Sequence, residues 1–439
     1  MGIKSILSKR SALRSKNDQV TNAAQLTLRQ SLWPLTIVTL LFFLWGFAYG
    51  LLDTLNKHFQ NTLGITRTRS SGLQAAYFGA YPLASLGYAN WMLRHYGYKS
   101  VFIFGLCLYG IGALWLGSLE TAANPYLAVC GPPKYAELRI NFAQAFNAIG
   151  TVVGPVLGSY AFFTTASDDL AALRRVQWVY LAIGIFVFVL AGVFFVSNIP
   201  EVTDADMEFQ VAETHIEGNE KSFWKRYQLF HAAAAQFFYT GGQVAIASFF
   251  INYAVETRPG TSNSTGANFL AGAQGAFAVG RFSGTFFMKF VRPRWVFLVY
   301  LTGVIIFLAA STTQGGDIGI AMLFLVLFFE SVCFPTIVAL GIRGLGRHYK
   351  RGSGWIVGGV CGGAAIPPLL GHVADLRGNT GFAMVVPTIV MVIAWSYALA
   401  VNFVPSYRDP ADKIGDSGIG IVSERSDEEK GPELNKEVQ

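Results

Sequence analysis

Two carboxylates, Asp53 and Glu120, stand inside stretches too apolar to hold an ionised side chain cheaply. Asp53 lies near the end of the run Leu35 to Leu55, and Glu120 interrupts the run from Val101 to Cys130. A carboxylate at bilayer depth is costly unless it is protonated, paired or turned toward water. Such a group can take up and release a proton, because burial favours its neutral form and hydration its charged form. A proton-coupled carrier of a polar solute needs that property. The plainer readings make Asp53 a side chain reaching to the headgroups from its helix end, and Glu120 a helix terminus in water.

Polar side chains at helical spacing accompany the carboxylates. Asn141, Gln144, Asn147 and Thr151 recur every three or four residues and fall on one helix face. That face must meet a cavity or another helix, and hydrogen bonding between helices would explain it as well. Gln74, Tyr77, Tyr81, Ser85 and Tyr88 form a second stripe. Tyrosine rings suit the C–H edge of a sugar, though helix packing alone accounts for the pattern. Gln236, Tyr239, Gln243 and Asn252 are weaker candidates of the same kind. No nucleophile–base pair or metal-ligand spacing occurs, so the expectation is not an enzyme, with no cofactor and no metal. Cys107, Cys130, Cys333 and Cys361 lack paired spacing and read as small buried hydrophobes. The run GGVCGGAAIPPLLG (358–371) follows no strand and is a packing surface with a proline bend, not a phosphate loop.

The elements that must position these groups are membrane helices. Only 13% of the 439 residues are charged and 52% are hydrophobic, too few charges to cover a soluble surface. Spans are expected near 33–56, 72–93, 100–117, 140–163, 176–197, 229–253, 266–290, 295–312, 317–341, 354–374 and 382–404, with an awkward piece at 118–131. The first 31 residues carry no short apolar core, so the first span is expected to serve as the targeting signal. The net charge of +7 sits in the N-terminal stretch and the short loops. This is the pattern of basic residues kept on the cytoplasmic side, and it needs no nucleic acid. Residues 1–31 and 405–439 read as cytoplasmic tails, the latter disordered, and 198–227 as an acidic cytoplasmic linker between helical bundles 32–197 and 228–404. Asn263-Ser264-Thr265 forms a glycosylation sequon in a loop expected to face outward.

The two halves repeat. Arg94 and Lys99 align with Lys289 and Arg294 at an offset of 195, Glu120 and Pro125 with Glu330 and Pro335 at 210, and Pro155 and Gly158 with Pro368 and Gly371 at 213. Parallel half-repeats with a binding site between them are a known carrier plan. The offset grows by 15 between the first two matches, so the first half is 15 residues short between Arg94 and Glu120. Residues 100–131 have room for one span and a turn back.

With SLETAANPYLAVCGP (118–132), RINFAQAFNAIG (139–150) and FFLWGFAYGLLDTLNKHFQ (42–60) on the page, the chain resembles the major facilitator superfamily. Within it, the likeness is to L-fucose:proton symporters and glucose/galactose permeases, and ALGIRGLGRHYKRGSG (339–354) looks like a fungal branch. The resemblance runs from about 33 to 405. It implies an all-α fold of two pseudo-symmetric bundles, twelve helices in all, of which about eleven are complete here. It implies alternating access, with Asp53 and Glu120 as the proton-coupling and sugar-linked carboxylates. Gln144 and Asn147 match sugar-contacting positions, and Asn124, Gln74, Tyr77, Tyr81 and Gln243 join them as substrate-binding candidates. Arg94, Lys99, Arg281, Lys289 and Arg294 match loop positions that latch the cytoplasmic face, or simply set topology. The family carries a loop and a helix start before Leu-Glu-Thr-Ala-Ala-Asn-Pro, whereas GIGALW (110–115) joins that run almost directly. The expectation is a monomeric plasma-membrane symporter of L-fucose or a related hexose. The alternatives are a sugar sensor on the same fold and an inactive, shortened splice or gene-model product.

Overall fold

Thr27 and Gln30 mark the start of the first described helix. Thr27 accepts from the Gln30 amide while the Gln30 side chain accepts from the Thr27 amide. This reciprocal cap opens α1, Leu28–Leu63, which ends at Gly64 in the left-handed region, φ 58°. The computed structural model describes residues 26–111, 117–162, 170–213 and 222–416. Helices follow in order: α2 (Arg67–Ser70), α3 (Gly72–Gly79), a π-helical turn (Leu83–Tyr88), α4 (Ala89–Ile111), α5 (Gly117–Val129), α6 (Ala136–Phe162) and α7 (Leu170–Val196). A linker helix, α8 (Asp204–Glu213), leads to the second half. That half comprises α9 (Tyr227–Thr257), α10 (Asn263–Phe287), α11 (Pro293–Thr313), α12 (Gly316–Glu330), α13 (Cys333–Ile342), α14 (Tyr349–Gly358), α15 (Gly362–Arg377), α16 (Thr380–Ala383) and α17 (Val385–Phe403). A last helix, α18 (Pro405–Gly415), lies beyond it. Among the described residues there is no strand. Five described segments are long and apolar enough to cross a membrane. The surface agrees: Trp178, Phe195, Val196 and Phe290 are each at least 70% exposed, while Gln74, Asn124, Asn141 and Gln236 are fully buried. Apolar outside and polar inside is the arrangement a bilayer demands.

The repeat is visible in how each half crosses its helices. A Cβ on Gly46 of α1 would lie 1.9 Å from the Asn147 carbonyl oxygen of α6, and one on Gly150 would lie 2.3 Å from that of Phe43. In the second half, Gly241 of α9 faces the Gly362 carbonyl at 2.9 Å, and Gly362 faces that of Phe237 at 1.8 Å. Gly46 and Gly241 stand 195 apart, the offset already seen in the loops. Both crossings put backbone against backbone, which only a missing side chain permits. Gly46→Val is therefore expected to cost about 1–3 kcal/mol or more through overpacking. Thermal unfolding of detergent-purified protein would read this directly; an unchanged midpoint would contradict the crossing.

The segment of the first half that is 15 residues short is built around a hairpin of two helices. Backbone at Gly97 leaves the helical region at φ 79°, so α4 divides there and its second part is residues 98–111. Gly105 packs on Leu119 and the ring of Tyr98 lies 5.1 Å from that of Tyr126, so this part and α5 run antiparallel as a hairpin. The described parts of the two arms, fourteen and thirteen residues, are each about 20 Å long. The corresponding helices of the second half are α11, with 21 residues, and α12, whose 15 residues all precede or include Glu330. An in-and-out hairpin preserves the direction of everything after it. The tip, 112–116, lies outside the described residues.

Candidate functional site

A cavity of about 660 Å³ of empty space lies between the halves. It is lined from the first half by Trp45, Tyr49, Phe78, Tyr81, Glu120, Gln144, Asn147 and Thr151, and from the second by Thr240, Gln243, Gln274, Phe277, Arg281 and Glu330 among others. The polar stripe of the sequence explains part of this wall. Gln144, Asn147 and Thr151 turn into the cavity, while Asn141, two turns toward the linker side, bonds Thr336 at 3.3 Å and the Glu137 carbonyl at 2.9 Å.

Glu120 occupies the first turn of α5, yet is only 3% exposed. The antiparallel pairing sets it level with Phe104, about 9 Å up the hairpin from Tyr98. Asn124 Nδ2 donates to Glu120 Oε1 at 3.0 Å, and Gln144 Nε2 donates to Asn124 Oδ1 at 3.1 Å. Arg281 Nη1 donates to Gln144 Oε1 at 3.1 Å and to the Gln144 carbonyl at 2.8 Å. The orientation of both amides follows from the ends of this chain. A cation can only donate and a carboxylate can only accept, so each amide must present oxygen toward Arg281 and nitrogen toward Glu120. The Tyr81 hydroxyl completes the carboxylate's surroundings. The line of bonds runs from one half of the molecule to the other.

Proline explains how Arg281 is held. Pro335 has no amide hydrogen, and its ring displaces the carbonyl four residues earlier, that of Ser331. The helix breaks there, between α12 and α13, and Arg281 Nε donates to the freed Ser331 oxygen at 2.5 Å. The Tyr239 hydroxyl donates to the neighbouring Glu330 carbonyl at 2.5 Å. The guanidinium also lies 4.4 Å from the centre of the Phe277 ring.

The other sequence candidates divide clearly. Tyr81, Gln243, Gln144 and Asn147 line the cavity, and Asn147 Nδ2 donates to the Phe42 carbonyl at 3.1 Å. Asn124 stands behind the wall as a link between Gln144 and Glu120. Tyr77 is buried edge-on to Phe78, 4.8 Å between centres, and Gln74 is fully buried outside the cavity lining, with neither amide atom bonded among the described residues. Ser85 packs beside Gly354 and Gly358. The Asp53 side chain lies outside the described residues. Arg281 corrects the sequence reading, which placed it in a latching loop. It sits six residues inside the end of α10, only 2% exposed and within the cavity wall. Trp45, Phe78, Gln274 and Phe277 also escaped notice, because an aromatic residue or a single amide in an apolar helix stands out by no spacing of its own. Arg281 did carry one: a cation inside an expected span, the argument applied to Glu120.

Bridges between halves close both ends of the cavity. On the far side from the linker, Arg67 pairs with Glu256 at 2.6 Å and Asp375 at 3.5 Å, while the Thr68 amide and hydroxyl donate to Asp375. Beneath them Asn252 donates to Gln60 at 2.9 Å. On the linker side, Glu137 pairs with Arg343 and Glu201 with Lys350. Glu201 also accepts from the Tyr98 amide at 2.7 Å, in space that a side chain at Gly97 would fill. Tyr349 donates to the Pro125 carbonyl. Arg67→Gln is expected to loosen the far side alone. A cysteine at Asn252 should then react with an impermeant maleimide several-fold faster, and one at Thr336 at an unchanged rate.

Residues 115–368 match the family model described as Major Facilitator Superfamily. The chain is similar to the L-fucose-proton symporter of Escherichia coli K12, 30% identical over 417 residues that cover 84% of this chain and 93% of that one. It is similar also to a glucose/galactose transporter of Brucella abortus, 32% identical over 374 residues, covering 79% and 89%. The crystal structure of FucP in the outward conformation superposes with a TM-score of 0.67 at 29% identity, covering 84% of this chain and 98% of FucP. The proton:xylose symporter XylE reaches 0.65 at 11% identity, a likeness of fold alone.

Proposed function

This chain belongs to the Major Facilitator Superfamily, and from that premise we propose that it carries L-fucose or a related hexose across the plasma membrane with a proton. The observation that carries the reading is a carboxylate, Glu120, in the wall of a cavity shared by two halves. Aromatic faces (Trp45, Phe78, Phe277) suit a sugar ring's C–H edge. The amides of Gln144, Asn147, Gln243 and Gln274 suit its hydroxyls. A protonated Glu120 no longer anchors the Asn124–Gln144–Arg281 line as an anion. Charge on one half thereby alters a bond to the other, and the halves can part on the linker side, assigned as cytoplasmic. Asp53 remains a proposed second carboxylate on the strength of the resemblance. Although the hairpin is short, Glu120 still reaches the cavity, which favours a working carrier over an inactive product.

The test is uptake of labelled L-fucose, galactose and glucose into proteoliposomes, with and without an inward proton gradient. Accumulation of at least one of them only under the gradient is the expected result. Binding without any uptake would favour the sensor reading, and gradient-independent equilibration would remove the proton.

A further inference from the structure

A second cleft lies on the linker side, away from the central cavity. Leu86, Asn90, Trp91 and Arg94 of the first half face Arg351 and Trp355 of α14 around about 890 Å³ of empty space. Among the described residues its lining holds two guanidinium groups, one from each half, and no carboxylate. The backbone leaves helical geometry at Gly87 (φ −96°, ψ −117°), where a Cβ would meet nothing within 4 Å, so the cleft is open there. Arg351 is oriented by aromatic rings, 4.1 Å from Phe223 and 5.1 Å from Trp224, and makes no ion pair among the described residues. The nearby carboxylate of Glu201 is engaged by Lys350.

We propose that this cleft binds the headgroup of an anionic phospholipid, its phosphate between Arg94 and Arg351 and its chains along Leu83 and Leu86. Arginine matches a phosphate through paired donors. Leu83 is 68% and Leu86 42% exposed on the π-helical turn, and Trp91 is 47% exposed beside them. Apolar side chains next to a basic cleft, with tryptophan at the boundary, fit a lipid better than a free anion. Because Arg94 and Arg351 belong to different halves, a bound headgroup ties the halves together on this side, and their parting would dismantle the site.

The experiment uses the full chain, purified and exchanged into mixed phosphatidylcholine and phosphatidylglycerol, with retained lipid read by native mass spectrometry. The wild type is expected to keep phosphatidylglycerol over phosphatidylcholine by about tenfold or more, the scale of two basic groups at a membrane. Arg94→Gln with Arg351→Gln should erase that preference, while Lys134→Gln with Lys289→Gln, in a separate basic groove, should keep it. Arg94 is exposed, so Arg94→Gln alone should fold and lose roughly half of the preference on a logarithmic scale. An unchanged preference in the Arg94 and Arg351 variants, or equal loss in the lysine pair, would overturn the site. Displacement by glycerol phosphate at concentrations comparable to lipid would overturn the lipid and leave a free-anion site.

Discussion

Glu120→Gln is expected to end uphill transport while sparing exchange. A gradient of about two pH units is worth about 2.7 kcal/mol per proton, which one-to-one coupling converts into roughly hundredfold accumulation. Glutamine keeps the carbonyl oxygen that accepts from Asn124, and it is close to glutamate in volume, so the wall of the cavity is preserved. It cannot give up a proton at the face where the sugar must leave. The accumulation ratio in proteoliposomes should therefore fall to about one, the value for no coupling. Counterflow, in which labelled and unlabelled sugar trade places without net proton movement, should survive within a fewfold. If driven accumulation persisted in the variant, Glu120 would not be the coupling group. If exchange vanished as well, its part would be structural or in sugar binding.

The sequence makes some of this site legible because cost leaves a trace. A carboxylate within a span, or amides on one helix face, stands out against the apolar background that a bilayer selects. Glu120 and the Gln144–Asn147–Thr151 face are found that way, and the repeat is found because charged residues and prolines recur at matched offsets in the two halves. Trp45, Phe78 and Phe277 are not legible. An aromatic side chain in a membrane helix is equally at home facing lipid, a neighbour or a cavity. Arg281 marks the opposite failure. Its charge was visible, but grouping it with the loop cations hid the depth at which it sits, and only Pro335 explains why a carbonyl waits for it there.

Replacing that arginine is expected to give the second large effect. Arg281→Met retains much of the apolar stem and the contact with Phe277, but removes the donors to Ser331 and to both oxygens of Gln144. Removing one member of a buried charged cluster typically costs about 3–5 kcal/mol, because the remaining charge loses its compensation. Glu330 is the group left behind, a buried carboxylate in the same cavity wall. The loss should appear as a lowered thermal midpoint. Neutralising the residue left behind, in Arg281→Met with Glu330→Gln, should recover part of it, a coupling that independent sites would not show. Transport should respond differently. Without Arg281 the orientation of Gln144 is no longer fixed by a cation, so the line from Glu120 stops within one half of the molecule. Driven uptake should stay low in the double variant even where stability returns. Recovery of uptake together with stability would mean that Arg281 only holds the fold. Recovery of stability alone would mean that the bond across the seam carries the coupling.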